Sequence, residues 1–143
     1  MIDLCKQASI QPIVHFIADG RDSAQKSAKQ YLAKIQPALD EANGRIATVH
    51  GRYYAMDRDH RWERVELSWK AMAMAEGRQA VSVEAAIDDA YSRDETDEFF
   101  IPTVIEGHKP LSADSEVFFF NYRNDRPREI SEALAIESFE GFE

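Results

Sequence analysis

Three short stretches of this sequence set arginine beside aspartate: Asp19-Gly20-Arg21-Asp22, Gly51-Arg52 through Asp57-Arg58, and Arg123 through Asp125-Arg126. Arginine's planar fork of donors matches carboxylate and phosphate oxygens in a way that a lysine ammonium does not. If the three stretches meet, Arg21, Arg52, Arg58, Arg123 and Arg126 converge on one mouth, and like charges so gathered call for anions. The interleaved acids Asp19, Asp22, Asp57 and Asp125 could hold those forks in orientation or bind a ligand's hydroxyl groups. The ligand implied is small, carries more than one anionic group and also bears hydroxyls. A phosphorylated hydroxy acid fits.

Two plainer readings stand beside this one. An arginine next to an aspartate is usually a solvated pair worth about 0–1 kcal/mol. The acids could also hold magnesium or manganese, although neighbouring arginines would repel the cation and no histidine spacing of the metal-binding kind accompanies them. Repetition of the same content in three loops favours an anion site.

The elements around these loops decide whether they can meet. Met1 to Ala8 reads as a short helix ending near Ser9, and Ile13 to Ala18 as a largely buried strand. From Ser23, Ala28, Tyr31, Leu32, Ile35 and Leu39 fall on one helix face, with Pro37 predicting a kink or break near Ile35 and Asn43-Gly44 a stop. Arg45 to His50 is a second strand, and the run from Gly51 to Asp59 a loop. Trp62, Val65, Trp69 and Met72 draw an apolar stripe along a helix reaching Gly77. Ala80-Val81 is a short strand, and Ser82 caps a helix bearing Val83, Ala86, Ile87, Ala90 and Tyr91. Phe99 to Ile105 contains Pro102, which places it at a sheet edge or a strand start. Ser115 to Phe120 reads as a strongly apolar strand, and a last helix begins near Pro127.

Strands alternating with helices predict an α/β fold, a mainly parallel sheet flanked by helices in a single three-layer domain spanning residues 1–143. In such sheets the loops after the strands' carboxyl ends gather at one edge, where ligands bind. That rule would bring the three arginine stretches together.

Composition narrows the class. With 44% apolar residues and no low-complexity tract, a chain of 143 residues suits one globular domain. A net charge of −9 argues against a nucleic-acid binder or a basic membrane-surface protein. No apolar run approaches the ~20 residues of a membrane span. The single cysteine, Cys5, cannot form an internal disulfide, which suits a cytoplasmic setting. Eleven of the 17 basic residues are arginine, an excess that the three loops explain in part.

Other side chains with chemistry to offer read less well. His15 alternates within a strand and reads as a packed histidine. His50 lies beside the mouth and reads either as a ligand contact or as a packed residue, while His60 and His108 read as exposed. Trp62, Trp69, Met72 and Met74 read as core. Neither of the common glycine-rich phosphate loops is present, and no nucleophile is evident.

Asp19-Gly20-Arg21-Asp22, the run Gly51-Arg52-Tyr53-Tyr54-Ala55-Met56-Asp57-Arg58-Asp59 with Arg61-Trp62, Thr96-Asp97-Glu98-Phe99 with Pro102-Thr103, and Phe120 through Arg126 occur in this order in cofactor-independent phosphoglycerate mutases. Over nearly its whole length the chain resembles the phosphotransferase, or substrate-binding, domain of that family. Departures are mild: Ser23-Ala24-Gln25 where the family often has Thr-Pro-Pro, Pro37 inside a helix, and Asn124 at a variable position.

The resemblance implies a cytoplasmic glycolytic isomerase that interconverts 3-phosphoglycerate and 2-phosphoglycerate. Arg21 and Asp22 would contact the glycerate carboxylate and hydroxyls, with Asp22 as proton shuttle. Arg52 and Arg58 would grip the substrate, and Arg123 and Arg126 would neutralise it from the other side. The family's serine nucleophile, two manganese ions and a pocket lysine belong to a phosphatase-like domain, so no metal ligand is expected in this chain. The resemblance thus implies a domain truncated from a larger two-domain enzyme and inactive alone. The alternative is a stand-alone, non-catalytic module that binds phosphate or carboxylate. A third is a domain whose pocket forms only on closure with its partner.

Overall fold

The computed structural model describes residues 1–119 and 121–142. Its four strands are β1 (Ile13–Ala18), β2 (Arg45–Gly51), β3 (Arg78–Ala80) and β4 (Thr103–Ile105). They form one sheet in the order β1-β2-β4-β3. β1 and β2 run parallel, as do β3 and β4, whereas β2 and β4 are antiparallel. The sheet is therefore mixed, with two of its three pairings parallel.

Helices cover both faces. Adjacent residues of a strand point to opposite sides, and β1 obeys this: Ala18 joins an apolar cluster with α2 (Ala28–Glu41) and α5 (Val83–Ser92), while Ile17 packs into another. That second cluster is built from α3 (Arg52–Ala55), α4 (Trp62–Trp69), Met72 and α6 (Arg128–Ala135). Leu39 and Ile87 are fully buried in the first cluster, and Val65 and Ile130 almost so in the second. The order of layers is the one expected of a short α/β domain.

Local chemistry explains the boundaries. The Ser82 hydroxyl accepts the Ala85 amide at 3.1 Å and starts α5 as expected. α2 begins at Ala28 rather than Ser23, because its N-terminus is capped from across the fold: the Asp97 carboxylate accepts the Ser27 amide at 2.8 Å. Pro37 does not interrupt α2. Both Pro37 and Ala33, whose carbonyl loses its amide partner, lie exposed, so water can satisfy that carbonyl. The stripe from Trp62 continues beyond Trp69 not as α-helix but as a π-helical turn over Lys70–Met74. Ala71, Met72 and Ala73 are all buried there, whereas Met74 is exposed, contrary to its reading as core.

Of the two positions that Pro102 allowed, the structure takes the strand start: β4 is an interior strand, and Pro102 precedes it and leaves every amide of Thr103–Ile105 free to pair. One expectation of the sheet needs correction. The segment from Ser115 forms no strand through Phe119, and Phe120 lies outside the described residues. Val117 and Phe118 are exposed, and only Phe119 packs inward, against the α6 cluster. The third arginine stretch therefore follows a coil.

Candidate functional site: an arginine-lined mouth

The parallel register sets Ala18 of β1 beside Gly51 of β2, so the chain leaves both strands at the same point of the sheet edge. The Asp19–Asp22 loop and the start of α3 are thereby neighbours. Arg52 is the first residue of α3, one helical turn where the sequence suggested loop. Its side chain is only 11% exposed, and its Nη1 donates to Asp22 Oδ2 at 2.8 Å and also to Asp19 Oδ1. Glycines let the backbones close in. Gly20 has φ +65°, which only glycine adopts cheaply, and a Cβ there would strike the Glu98 amide nitrogen at 2.6 Å.

Gly51 is needed for space alone, since its φ of −82° suits any residue. A Cβ would lie 2.5 Å from the Phe100 amide nitrogen, and the Gly51 amide already donates to the Phe100 carbonyl at 2.8 Å. Backbone cannot yield as a side chain can. Gly51→Ala is expected to cost about 1–3 kcal/mol, read as a lower urea midpoint, and an unchanged midpoint would refute the packing argument.

The other arginines reach the same mouth from the far side. Arg58 Nη1 donates to Asp125 Oδ2 at 2.6 Å, and Arg123 Nη2 shares that oxygen at 3.2 Å. Arg126 Nη1 donates to the Met56 carbonyl at 3.0 Å. Arg21 Nη1 stands 3.5 Å from Glu98 Oε1, which belongs to the Thr96–Phe99 motif. All five arginines, with Asp19 and Asp22, line a cavity of about 520 Å³ floored by Ile17, Ala18 and Met56. Convergence of Arg21, Asp22, Arg52, Arg58, Arg123 and Arg126 is thus what the topology produces, even though one expected strand is absent.

The electrostatics of the mouth are lopsided. Arg52, by its hydrogen bond and its charge, holds the Asp22 carboxyl below the usual carboxylate range, and Arg21 and Arg123 add to this. The hydrogen bond from Arg58 does the same for Asp125. Arg126 makes no ion pair with a carboxylate among the described residues. Burial first, then the repulsion of Arg52, Arg58 and Arg21, lowers its proton affinity. A guanidinium in a positive field of this kind gains most from an incoming anion. The mouth is also open: the side chains of Arg21 and Arg123 are 63% and 76% exposed, and Tyr122 beside them is fully exposed.

Several residues lie elsewhere than the sequence suggested. Asp57 holds no fork of the mouth; it is buried behind it, its carboxylate accepting the amides of Asp59 and Arg61 at 2.9 and 3.0 Å. His50 is completely buried, hydrogen-bonded through Nε2 to Thr48 Oγ1 at 2.6 Å, and cannot reach a ligand. His108 is half-buried and donates from Nε2 to the Met72 carbonyl at 2.9 Å. Asp97 is the most useful residue the sequence reading passed over as a support: it caps α2, accepts the Tyr91 hydroxyl at 2.6 Å, and packs against Gly20. Its signal was the aspartate-glutamate-aromatic run just before Pro102.

Among the described residues no three His, Cys, Asp or Glu side chains are placed to hold a metal ion. No helix among them is long and apolar enough to cross a membrane.

Comparison with known proteins bears on family and fold. A family model described as the BPG-independent PGAM N-terminus matches residues 1–143. A 2,3-bisphosphoglycerate-independent phosphoglycerate mutase of Clostridium perfringens strain 13 is 47% identical over 149 residues, covering all of this chain and 29% of its own length. One from Clostridioides difficile is 46% identical over 148 residues, covering 99% of this chain and again 29% of its own length. The crystal structure of Leishmania mexicana phosphoglycerate mutase at low cobalt concentration superposes with a TM-score of 0.86 at 28% identity, over 99% of this chain and 29% of that one. The chain thus spans less than a third of the proteins it matches.

Proposed function

We propose, from the premise that the chain belongs to the BPG-independent phosphoglycerate mutase N-terminal family, that it is the substrate-binding part of an isomerase interconverting 3-phosphoglycerate and 2-phosphoglycerate in glycolysis. The observation that carries this reading is the 520 Å³ mouth in which five arginines from three separate segments face one space. Phosphoglycerate supplies what that space lacks: a carboxylate, a phosphate and a hydroxyl.

Arg21 and Asp22 contact the glycerate carboxylate and hydroxyls from the β1 side. Arg52 and Arg58 grip the substrate, and Arg123 and Arg126 neutralise it from the opposite wall. Positioning and charge neutralisation are most of what phosphoryl transfer requires of a protein. Asp22 moves the proton of the reacting hydroxyl. In the empty mouth its basicity is held down by Arg52; an anion that draws Arg52 away raises it at the moment of use.

The mouth is half a site in this reading. Tyr122, exposed at its rim, is covered by the rest of the polypeptide, which also brings the nucleophile and the manganese. Binding by this chain alone is accordingly weak, in the millimolar range or about −4 kcal/mol. Titration of the isotope-labelled chain with 3-phosphoglycerate at low salt is expected to give saturable amide NMR shifts confined to residues 19–22, 51–58 and 121–126. A coupled assay of the same chain with manganese is expected to show no mutase turnover. Absence of shifts up to tens of millimolar, or metal-dependent turnover by the chain alone, would overturn the half-site reading.

A further inference from the structure

Behind the arginines lies a pair of acids that anion binding does not explain. Asp57 and Glu129 are 5% and 3% exposed, and they bracket one short stretch of backbone: Asp57 accepts the amides of Asp59 and Arg61, and Glu129 accepts the His60 amide between them. Two like charges buried so near each other repel, and protonation of one carboxyl relieves them. The surroundings select which. Asp57 Oδ2 accepts two backbone amides, from Asp59 and Arg61, and Arg64 Nη1 stands 3.5 Å from Oδ1. Glu129 Oε1 accepts only the His60 amide at 3.0 Å, with His60 Nδ1 at 3.9 Å, and its Oε2 is buried without a partner. A proton on that oxygen, donated to Asp57, gives it one. Burial pushes the Glu129 carboxyl up, with Asp57 adding to the rise. At Asp57 burial also works upward but is outweighed by the amides of Arg61 and Asp59, the Glu129 carboxyl and Arg64, which leave it low.

The position of the pair gives it a use. Asp57 adjoins Arg58, and Glu129 lies on the first turn of α6, just after Arg126. Those two arginines reach across the same seam, to Asp125 and to the Met56 carbonyl. We propose that Asp57 and Glu129 share one proton as a clasp that holds the Arg58 and Arg126 segments together, making Glu129 a positioning residue whose deprotonation loosens the anion site. When the proton leaves, two buried carboxylates repel across the seam, and separation of the 57–61 segment from α6 is their relief. The consequence for ligands rests on the anion-site reading above; the shared proton does not.

The test uses sulfate, whose charge is constant in this range, titrated by amide NMR between about pH 4 and pH 9, alongside the carbon-13 shift of the Glu129 carboxyl. The parent chain is expected to titrate Glu129 above its ordinary carboxyl value, and to lose sulfate affinity by up to about tenfold per pH unit as that proton leaves. Glu129→Gln, which donates without titrating, is expected to bind with a flat profile, and His60→Gln to keep the parent's profile. A Glu129 that titrates in the ordinary carboxyl range, or a Glu129→Gln variant with the parent's pH dependence, would overturn the clasp. If sulfate binds at no pH, the anion-site reading fails instead. The clasp is then judged by the carbon shift and by urea unfolding, where only the parent loses stability as pH rises.

Discussion

Replacing Arg52 with alanine is expected to weaken phosphoglycerate binding by about two orders of magnitude, beyond detection for a half-site of millimolar affinity. The size follows from what Arg52 holds. Its guanidinium is the most enclosed of those paired with an acid at the mouth, and it bridges Asp19 and Asp22. Removing it deletes charge-assisted hydrogen bonds to the ligand, each worth about 1.5–3 kcal/mol. It also leaves two carboxylates facing an incoming anion with nothing to offset them. Arg52→Lys should recover only part of the loss, because a point charge cannot bridge both aspartates and still present a fork. Arg45 is the proper control: it donates to the Gly107 carbonyl at the opposite end of β2, so Arg45→Ala should bind as the parent does. Amide NMR titration of the three variants decides the matter. Equal losses for Arg45→Ala and Arg52→Ala would mean that bulk charge, not this mouth, attracts the ligand.

Much of that site was legible because the same two residue types recur in three loops, where one such pair alone would read as a solvated contact. Arginine and aspartate repeated after two apolar runs, and parallel pairing of those runs did the rest. The third segment was legible in its residues but not in its structure. Val117, Phe118 and Phe119 have strand composition, yet pattern alone cannot say whether an apolar run finds a neighbouring strand to pair with. Here two of the three side chains stay exposed. Edge or interior position was equally hidden: Pro102 bars a residue from pairing only at its own amide, and β4 begins one residue later. Buried carboxyls were the least readable. Acids are almost never fully buried unless partnered, and nothing in the sequence near Asp57 announces a partner as distant as Glu129. His50 was read near the mouth correctly in chain position, but a strand's last residues can face the core as readily as the cleft. Its pairing with Thr48 made that choice.

The same burial of histidine makes the domain's stability depend steeply on acid. His15 Nδ1 lies 2.7 Å from Thr48 Oγ1, which in turn lies 2.6 Å from His50 Nε2. The ring of His108 meets that of His15 edge-on at 5.5 Å. One hydroxyl proton serves two imidazoles, so neither has a carboxylate to welcome a charge, and protonation of either brings a cation against the others. Burial first, and His108 second, pushes His15 down to about 4; burial, then His15 and His108, pushes His50 well below its ordinary value. A base with a depressed value binds fewer protons folded than unfolded. Stability therefore rises with pH between about 4 and 6.5 and is lost as pH falls through that window. At about 1.4 kcal/mol per unit, the drop of His15 from 6.5 to about 4 is worth on the order of 3 kcal/mol, with His50 adding to it. That is a large part of a domain's total. Urea unfolding at about pH 7 and pH 4.5 is expected to show the loss, and His15→Asn should flatten it while lowering stability at neutral pH. A parent chain equally stable at both values, or a variant with the parent's slope, would mean that the histidines are protonated without cost. Because His50 leads directly into Gly51 and Arg52, the same acid is expected to loosen the strand end on which the arginine mouth is built.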